Sequence, residues 1–225
     1  TATISFTFSE TPTGFAADDI SVSNGTLASL TVDGSDNKLY TATFTPAINT
    51  TAAATVTVAA NSYTDAAGNN GSAGTTPTIA VDTAVPTVTI TTSDAALSVG
   101  ETATITFTFS ETPTGFAAED ISVSNGTLAS LSVDGSDNKL YTATFTPAIN
   151  TTATASVTVA ANSYTDAAGN NGSAGTTPTI AVDTAVPTVT ITTSDAALSV
   201  GETATITFTF SETPTGFAAE DISVS

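Results

Sequence analysis

The sequence predicts an all-β protein built from tandem β-sandwich units, and three observations lead to this fold class. The chain of 225 residues repeats itself at an offset of 101 residues. Within each repeat, apolar and polar residues alternate with a period of two, which is typical of strands with one buried face. Turn-forming pairs such as Asn-Gly and Asp-Gly separate the alternating segments at short intervals.

The repeat is long and almost perfect. Residues 3–10 return as residues 104–111 and 205–212, and only five positions differ between residues 1–101 and 102–202. A unit of this size is a whole domain rather than one turn of a solenoid. Such similarity between neighbours indicates recent duplication. We therefore expect the chain to be part of a longer protein with more copies.

The sequence Val-Asp-Thr-Ala-Val-Pro occurs at residues 81–86 and 182–187 and predicts the joints between units. We name residues 1–82 the first unit, which lacks its first strand, and residues 83–183 the complete middle unit. Residues 184–225 are the third unit, with three strands expected. Such a remnant exposes sheet edges, so either the molecule continues or a neighbouring chain supplies the missing strands.

Seven antiparallel strands are predicted in the middle unit, near residues 87–92, 102–110, 120–124, 127–133, 140–146, 155–161 and 179–183. Asn125-Gly126 predicts a tight hairpin between the third and fourth of them. This spacing is the pattern of an immunoglobulin-like sandwich without the Cys-Trp-Cys signature of antibody domains. The side chains expected to point into the sandwich are Phe107, Phe109, Ile121, Tyr141, Phe145, Val157 and Val159.

Composition excludes several classes of function. With 21 acidic residues, only two basic ones and a net charge of −19, the chain has no basic surface for nucleic acid. It contains no His and no Cys, which removes the usual general base, disulfides and zinc knuckles. No apolar run approaches the ~20 residues of a membrane span. We therefore predict a protein that is not an enzyme.

Three segments carry a resemblance to a known family. They are Gly-Glu-Thr-Ala-Thr-Ile-Thr-Phe-Thr-Phe-Ser-Glu-Thr-Pro-Thr-Gly-Phe at residues 100–116, Ser-Tyr-Thr-Asp-Ala-Ala-Gly-Asn at 163–170, and the joint sequence. Together they resemble the tandem bacterial Ig-like domains of giant secreted adhesins. The resemblance covers essentially the whole chain. It implies the extender region of an extracellular RTX- or Bap-like biofilm adhesin, whose joints commonly hold Ca²⁺. The RTX nonapeptides of that family are absent from this sequence.

Topology predicts where the acidic residues meet. In an antiparallel seven-strand unit, the loops after strands two, four and six share the pole at which the chain enters. For the middle unit this pole faces the first joint. The residues expected there are Asp82, Glu111, Glu119, Asp120, Asp134, Asp137 and Asp166. The residues expected at the second joint are Asp183, Glu212, Glu220 and Asp221, and Asp94 and Glu101 in the first loop of the middle unit are expected to project toward it.

Clustered carboxylates repel one another unless a cation lies between them. Ca²⁺ takes six to eight oxygen ligands in flexible geometry, whereas Mg²⁺ demands strict octahedral geometry and keeps its waters. The acidic residues therefore predict calcium at the joints, with Asp82, Glu111, Glu119, Asp120 and Asp166 as ligands at the first. The alternative is that they are ordinary solvated residues that keep the protein soluble. The adjacent pair Glu119-Asp120 does not predict a glycosidase, because neighbours on a strand face opposite ways.

These observations predict a structural function. The chain is expected to be a calcium-stiffened stalk segment that projects an adhesive tip from a bacterial surface, with identical repeats as its neighbours. One alternative is a module whose loops bind a receptor or a glycan. This is disfavoured because the loops repeat almost verbatim and hold small polar residues. Another alternative is self-assembly, in which copies of the chain trade strands into a fibre or sheath.

Overall fold

The computed structural model describes residues 1–224. Strands and three single turns of 3-10 helix are the regular elements in these residues. The first unit has six strands: β1 (Ala2–Thr7), β2 (Ile20–Val22), β3 (Gly25–Val32), β4 (Leu39–Pro46), β5 (Val56–Val58) and β6 (Gly74–Thr75). They form two antiparallel sheets in the orders β1-β4-β3 and β2-β5-β6.

The middle unit has nine strands. They are β7 (Val88–Thr92), β8 (Ala96–Ser98), β9 (Ala103–Phe109), β10 (Ile121–Ser124), β11 (Gly126–Val133), β12 (Leu140–Pro147), β13 (Ser156–Val159), β14 (Gly175–Thr176) and β15 (Ala181–Asp183). One sheet has the order β11-β12-β9-β7 and the other the order β10-β13-β14, and β8 pairs with β15. Nearly every pairing is antiparallel, which confirms the all-β tandem sandwich.

Two short strands, β8 and β14, were not predicted. They contain three and two residues, and segments of that length are too short to show alternation. The pairing of β8 with β15 is parallel, with Leu97 opposite Val182. One edge of the sandwich therefore departs from the purely antiparallel arrangement that the sequence predicted.

The prediction of a hairpin at Asn125-Gly126 is wrong. Strand β10 pairs with β13 and strand β11 pairs with β12, so the turn carries the chain from one sheet to the other. Asn125 has a positive φ of 48°, a conformation that Asn tolerates better than most residues. Its side-chain Nδ2 donates to the carbonyl oxygen of Thr154 at 2.6 Å, which links the turn to the segment before β13.

The core of the middle unit lies between its sheets and contains most of the side chains predicted for it. Phe107, Phe109, Phe145, Val157 and Val159 are buried. The remaining two predicted side chains, Ile121 and Tyr141, are only partly buried and pack against this core.

The third unit has two strands, β16 (Val189–Thr193) and β17 (Ile206–Phe210), which pair antiparallel. A third strand was predicted, but residues 222–224 do not form one, and Ser225 lies outside the described residues. In the middle unit the equivalent strand, β10, pairs with β13. The counterpart of β13 would lie 101 residues further on, beyond residue 225, so the described residues of the third unit include no partner for such a strand.

Candidate metal centre at the first joint

Three carboxylates converge where the first unit meets the middle unit. One ligand oxygen from each of Asp82, Glu111 and Asp166 lies within 4.8 Å of the other two. Asp82 lies at the end of the first unit, Glu111 follows β9, and Asp166 lies in the loop between β13 and β14. Asp82 is exposed, Glu111 is half-buried and Asp166 is buried. Residues from two consecutive units therefore share one acidic cluster.

Asp166 is held by a short loop that ends at Asn170. The backbone N–H of Asn170 donates to Asp166 Oδ1 at 2.9 Å, and Asn170 Nδ2 donates to Asp166 Oδ2 at 2.8 Å. Gly169 adopts φ +89°, which the tight loop requires. Both carboxylate oxygens thus have fixed directions before any ligand arrives.

Asn170 also connects the two units directly. Its Nδ2 donates to the backbone carbonyl oxygen of Asp82 at 3.2 Å and lies 3.5 Å from Asp82 Oδ1. Sequence reasoning did not single out Asn170 as a site residue. The signal was available, because an Asp followed four residues later by Asn across a Gly-containing turn is a side-chain-capped loop.

The joint is tied to both units. On the side of the first unit, Thr83 Oγ1 donates to the Ala47 carbonyl at 2.7 Å, and the Val85 N–H donates to Asn49 Oδ1 at 3.3 Å. On the side of the middle unit, the Tyr164 hydroxyl donates to the Pro86 carbonyl at 3.2 Å. The linker between the units is therefore hydrogen-bonded along its length.

The first unit contains the same loop without a preceding unit in this chain. Asn69 donates to Asp65 Oδ1 at 2.8 Å from its backbone and to Oδ2 at 2.7 Å from its side chain. Asp65 is only half-buried, whereas Asp166 is 2% exposed. Tyr63 is likewise half-buried, whereas Tyr164 is buried. Because the loops have the same sequence, their difference in burial comes from what packs against them. In the middle unit these are the joint, through Asp82 and Pro86, and the edge strand β7, and the described residues of the first unit contain no equivalent of either.

The carboxylates of the cluster have opposed pKa shifts. Burial, and then the negative charges of Asp166 and Asp82, raise the pKa of Glu111 above its ordinary value. Burial alone would also raise the pKa of Asp166. Hydrogen bonds from the side chain and backbone of Asn170, and from the backbone N–H groups of Ala168 and Gly169, outweigh the effect of burial and lower the pKa of Asp166. Of these two carboxylates, Glu111 is therefore the one disfavoured as an anion in the absence of a cation.

The other residues predicted for this joint lie outside the cluster of three. Glu119 and Asp120 belong to a single 3-10 turn, Ala118–Asp120. Asp120 Oδ2 accepts the backbone N–H of Ala117 at 2.8 Å, so its carboxylate closes that turn. Asp134 accepts the N–H of Ser136 within its own loop. Asp120 and Asp134 thus each stabilise their own loop through a local hydrogen bond.

The second joint is incomplete in this chain. Asp183 and Glu212 line one open cavity of about 450 Å³. Asp221 accepts the N–H of Ala218 in a 3-10 turn that also contains Glu220. The counterpart of Asp166 would be residue 267, beyond the chain. Among residues 1–224 no second group of three metal-ligand side chains converges.

The donor set at the first joint suits a hard cation. Three carboxylates offer up to six oxygens, and these are the ligands that Ca²⁺ prefers. The absence of sulfur and imidazole from the chain disfavours zinc and copper.

No helix among the described residues is both long enough and apolar enough to cross a membrane.

Comparison with solved structures returns distant matches. The chain is 24% identical to InvD of Yersinia pseudotuberculosis, with a TM-score of 0.27, over 79% of this chain and 53% of that one. It is 14% identical to an endo-fucoidan hydrolase of glycoside hydrolase family 107, with a TM-score of 0.26, over 77% of this chain and 24% of that one. The chain thus spans about half of the InvD structure. No curated protein matches the chain.

The family comparison covers the whole sequence. The family described as bacterial Ig-like domain matches residues 1–81, 82–182 and 183–225 in succession. The period-two strands, the two-sheet sandwich and the short inter-unit joint are the features that such a tandem array requires. The protein therefore belongs to the bacterial Ig-like domain family, as three tandem copies.

Proposed function

We propose that this chain is a stalk segment of a bacterial cell-surface adhesin of the RTX or Bap type, and that Ca²⁺ stiffens its joints. The observation that carries the proposal is the convergence of Asp82 from one unit with Glu111 and Asp166 from the next. In this function the units supply length and stiffness, and an adhesive tip elsewhere in the protein makes the contact used in adhesion and biofilm formation.

Electrostatics supports a cation at this joint. Three negative charges within 4.8 Å repel one another. Burial first, and then repulsion from Asp166 and Asp82, raises the pKa of Glu111. Asp166 cannot relieve it by turning away, because Asn170 holds both of its oxygens. A bound Ca²⁺ would reverse the sign of these interactions. Water molecules would complete the six to eight ligands that it requires.

The same cluster explains how calcium would affect shape. A cation that binds Asp82 together with Glu111 and Asp166 binds the aligned joint more tightly than a bent joint in which Asp82 has moved away. It therefore shifts the population toward the aligned joint by its differential affinity for the two states. Extracellular modules typically bind Ca²⁺ at about 10⁻⁴–10⁻³ M. The joint would be stiff in calcium-rich surroundings outside the cell and loose in cytosol.

Repetition would provide the reach of a stalk. Strand β11 contains eight residues, which corresponds to about 26 Å at ~3.3 Å per residue, and loops and joints add to the length of each unit. Linker prolines such as Pro86 restrict φ and reduce bending between units. The net charge of −19 keeps a long repetitive surface soluble.

Small-angle X-ray scattering of the 225-residue chain tests the proposal. With millimolar Ca²⁺ we expect a larger maximum dimension than with excess chelator. Asp82→Ala should remove most of this difference and leave both flanking sandwiches folded, because Asp82 is exposed and outside the core.

Glu10→Gln is the matched control. Glu10 is the counterpart of Glu111, and the counterpart of Asp82 would precede residue 1, so the calcium response should persist in this variant. If the scattering curves with calcium and with chelator superimpose for the unaltered chain, the joints are not calcium hinges. The carboxylates then serve solubility alone.

A further inference from the structure

Two segments from opposite ends of the middle unit lie side by side in its sandwich. Strand β8 follows β7 near the start of the unit, and β15 is the last strand of the unit. The two strands pair in parallel over three residues each, with Leu97 opposite Val182. The N–H of Ala181 donates to the Ala95 carbonyl at 2.8 Å. This contact therefore joins the beginning of the unit directly to its end.

The directions of these strands fix how tension along the chain acts on them. Strand β15 runs into the second joint. Strand β7 runs away from the first joint, because it is antiparallel to β9, and Glu111, which follows β9, lies at that joint. Strand β8 follows β7 and has the direction of β15. Tension therefore pulls β8 back toward the first joint and β15 forward into the second.

Such tension loads the β8–β15 pair in shear. The hydrogen bonds of a parallel pair run between the strands rather than along them. A pull along the strand axes therefore stretches all of these bonds together. A pull that separates the strands from one end breaks the same bonds one after another. Because several bonds must break at once in shear, that direction has the higher barrier to rupture.

The pair has to break whichever end of the unit yields first. If β15 yields, it separates from β8, which is its strand partner among residues 1–224. If β7 is first stripped from β9, β8 is the next element along the chain and the tension reaches it. Both routes to the unfolded unit therefore pass through separation of β8 from β15.

Burial of the facing side chains strengthens this contact. Leu97 and Val182 are 2% and 4% exposed and belong to the core of the middle unit. Sliding or separation of the two strands would expose both side chains to water, which adds a hydrophobic penalty to the loss of hydrogen bonds.

The outer edge of β8 is covered by its own flanking carboxylates. The N–H of Ala96 donates to Asp94 Oδ1 at 2.9 Å, and the N–H of Ser98 donates to Glu101 Oε2 at 2.7 Å. A strand of three residues with a single partner strand gains little order from its own length. Asp94 and Glu101 therefore hold β8 in the extended form that pairs with β15.

We propose that the β8–β15 pair is a tension clamp, which keeps the middle unit folded when its two ends are pulled apart. The use of this clamp in adhesion rests on the stalk function proposed above. The strength of the clamp follows from strand order alone and does not depend on calcium. A segment that transmits force needs such a contact, because survival under force is governed by the rate of unfolding rather than by equilibrium stability.

Single-molecule force spectroscopy of the 225-residue chain in excess chelator tests the clamp. The chain has no Cys, so introduced cysteines provide defined attachment points. Val85→Cys with Val186→Cys pulls the middle unit from its two ends and shears the clamp. Val99→Cys with Val186→Cys places both attachments where β8 and β15 end, and opens the strands one bond at a time. These three side chains are 48%, 65% and 71% exposed for Val85, Val186 and Val99, so the core stays intact.

The two directions should give different unfolding forces for the same folded unit. At one loading rate, we expect the force in shear to be about twofold higher or more than the force in the other direction. Denaturant titrations of the two double-cysteine chains should agree, which would show that direction and not stability causes the difference.

Ala181→Pro weakens the clamp itself. It removes the N–H that donates to the Ala95 carbonyl, and Ala181 is exposed. The force in shear should fall by about half, and the force in the other direction should fall less. Val123→Ala is the control, because Val123 lies in β10 and packs against the core without touching the clamp pairing. It should lower equilibrium stability and leave the shear force nearly unchanged.

Three results would overturn the proposal. The first is equal unfolding forces in the two directions, and the second is an unchanged shear force in Ala181→Pro. The third is a loss of shear force in Val123→Ala as large as that in Ala181→Pro. If Ala181→Pro does not fold, the comparison of directions decides alone. None of these results bears on the scattering test of the calcium joints, so the two proposals can fail separately.

Discussion

Replacing Asp166 with Asn should abolish the stabilisation of the middle unit by calcium. A ligand that binds only the folded state stabilises it by RT ln(1 + [L]/Kd). With about 10 mM Ca²⁺ and a Kd of about 10⁻⁴–10⁻³ M, this amounts to ~1.4–2.7 kcal/mol. Asp166 is the buried carboxylate of the cluster, at 2% exposure, and removing its charge leaves Asp82 and Glu111 as the only carboxylates of the cluster. We expect less than about 0.5 kcal/mol of calcium stabilisation in the variant.

Hydrogen exchange followed by mass spectrometry can measure this effect unit by unit. The peptides that contain β1 and β9 differ in mass because Ser5 stands where the middle unit has Thr106. A stabilisation of ~1.4–2.7 kcal/mol slows the exchange of β9 by about 10- to 100-fold. The exchange of β1 should respond less, since the first unit has only part of such a site in this chain.

Asp65→Asn is the matched control. It removes the same negative charge and one of the two oxygens that accept hydrogen bonds from Asn69, but at a loop with no preceding unit in this chain. Its β9 peptide should keep the full response to calcium. The reasoning fails if calcium slows β9 equally in the unaltered chain and in Asp166→Asn, or if it slows β9 in neither.

Three further predictions concern stability. Phe107→Ala should lower the free energy of unfolding of the middle unit by about 3–5 kcal/mol, because the ring is buried, and Phe6→Ala should cost the first unit less, because Phe6 is half-buried. Hydrogen exchange of β9 and of β1 measures the two losses. A loss below about 1 kcal/mol for Phe107→Ala would contradict the burial of its ring. Because the pKa of Glu111 is raised, folding loses stability as pH rises through and above the ordinary value of about 4.3. In chelator at pH 7, denaturant titrations should therefore show the Glu111→Gln variant to be more stable than the unaltered chain. This difference should disappear on acidification. In saturating calcium the unaltered chain should be the more stable of the two. Tyr164→Phe should lower the stability of the protein more than Tyr63→Phe in the same titrations, because the Tyr164 hydroxyl lies within hydrogen-bond distance of the Pro86 carbonyl, whereas the Tyr63 hydroxyl bonds only the Ser72 carbonyl of its own loop. Equal losses of stability would mean that the bond to Pro86 contributes nothing.

Several features of the fold could be predicted from local sequence. Alternation over seven residues is enough to identify β9 and to place Phe107 and Phe109 on its buried side. The same reasoning fails for β8 and β14, which are too short to show a period. It also fails at Asn125-Gly126, because a turn signal does not say whether the following strand joins the same sheet or the opposite one.

Part of the candidate site could be predicted too. Alternation of loops between two poles brought Asp82, Glu111 and Asp166 to one joint in the prediction, and the structure brings these three together. The same rule also gathered Glu119 and Asp120, whose turn the structure places outside the cluster. Strand order predicts only which end of the sandwich a loop lies at. Metal coordination requires the side chains themselves to lie within a few ångströms of one another, and strand order does not specify that. That these residues bind calcium stays a prediction.

The sequence by itself determined the repeat, the longer β-strands, their buried faces and the acidic character of the joints, because each follows from residue identities at short spacing. Only the tertiary structure decided what identical segments do in different places. Asp65 and Asp166 have the same neighbours in sequence, yet only Asp166 is buried against a preceding unit. Gly74 and Gly175 likewise differ only in whether a strand lies beside them. Burial and contact depend on which surfaces meet across the joint and across the sandwich, and those partners are distant in the chain.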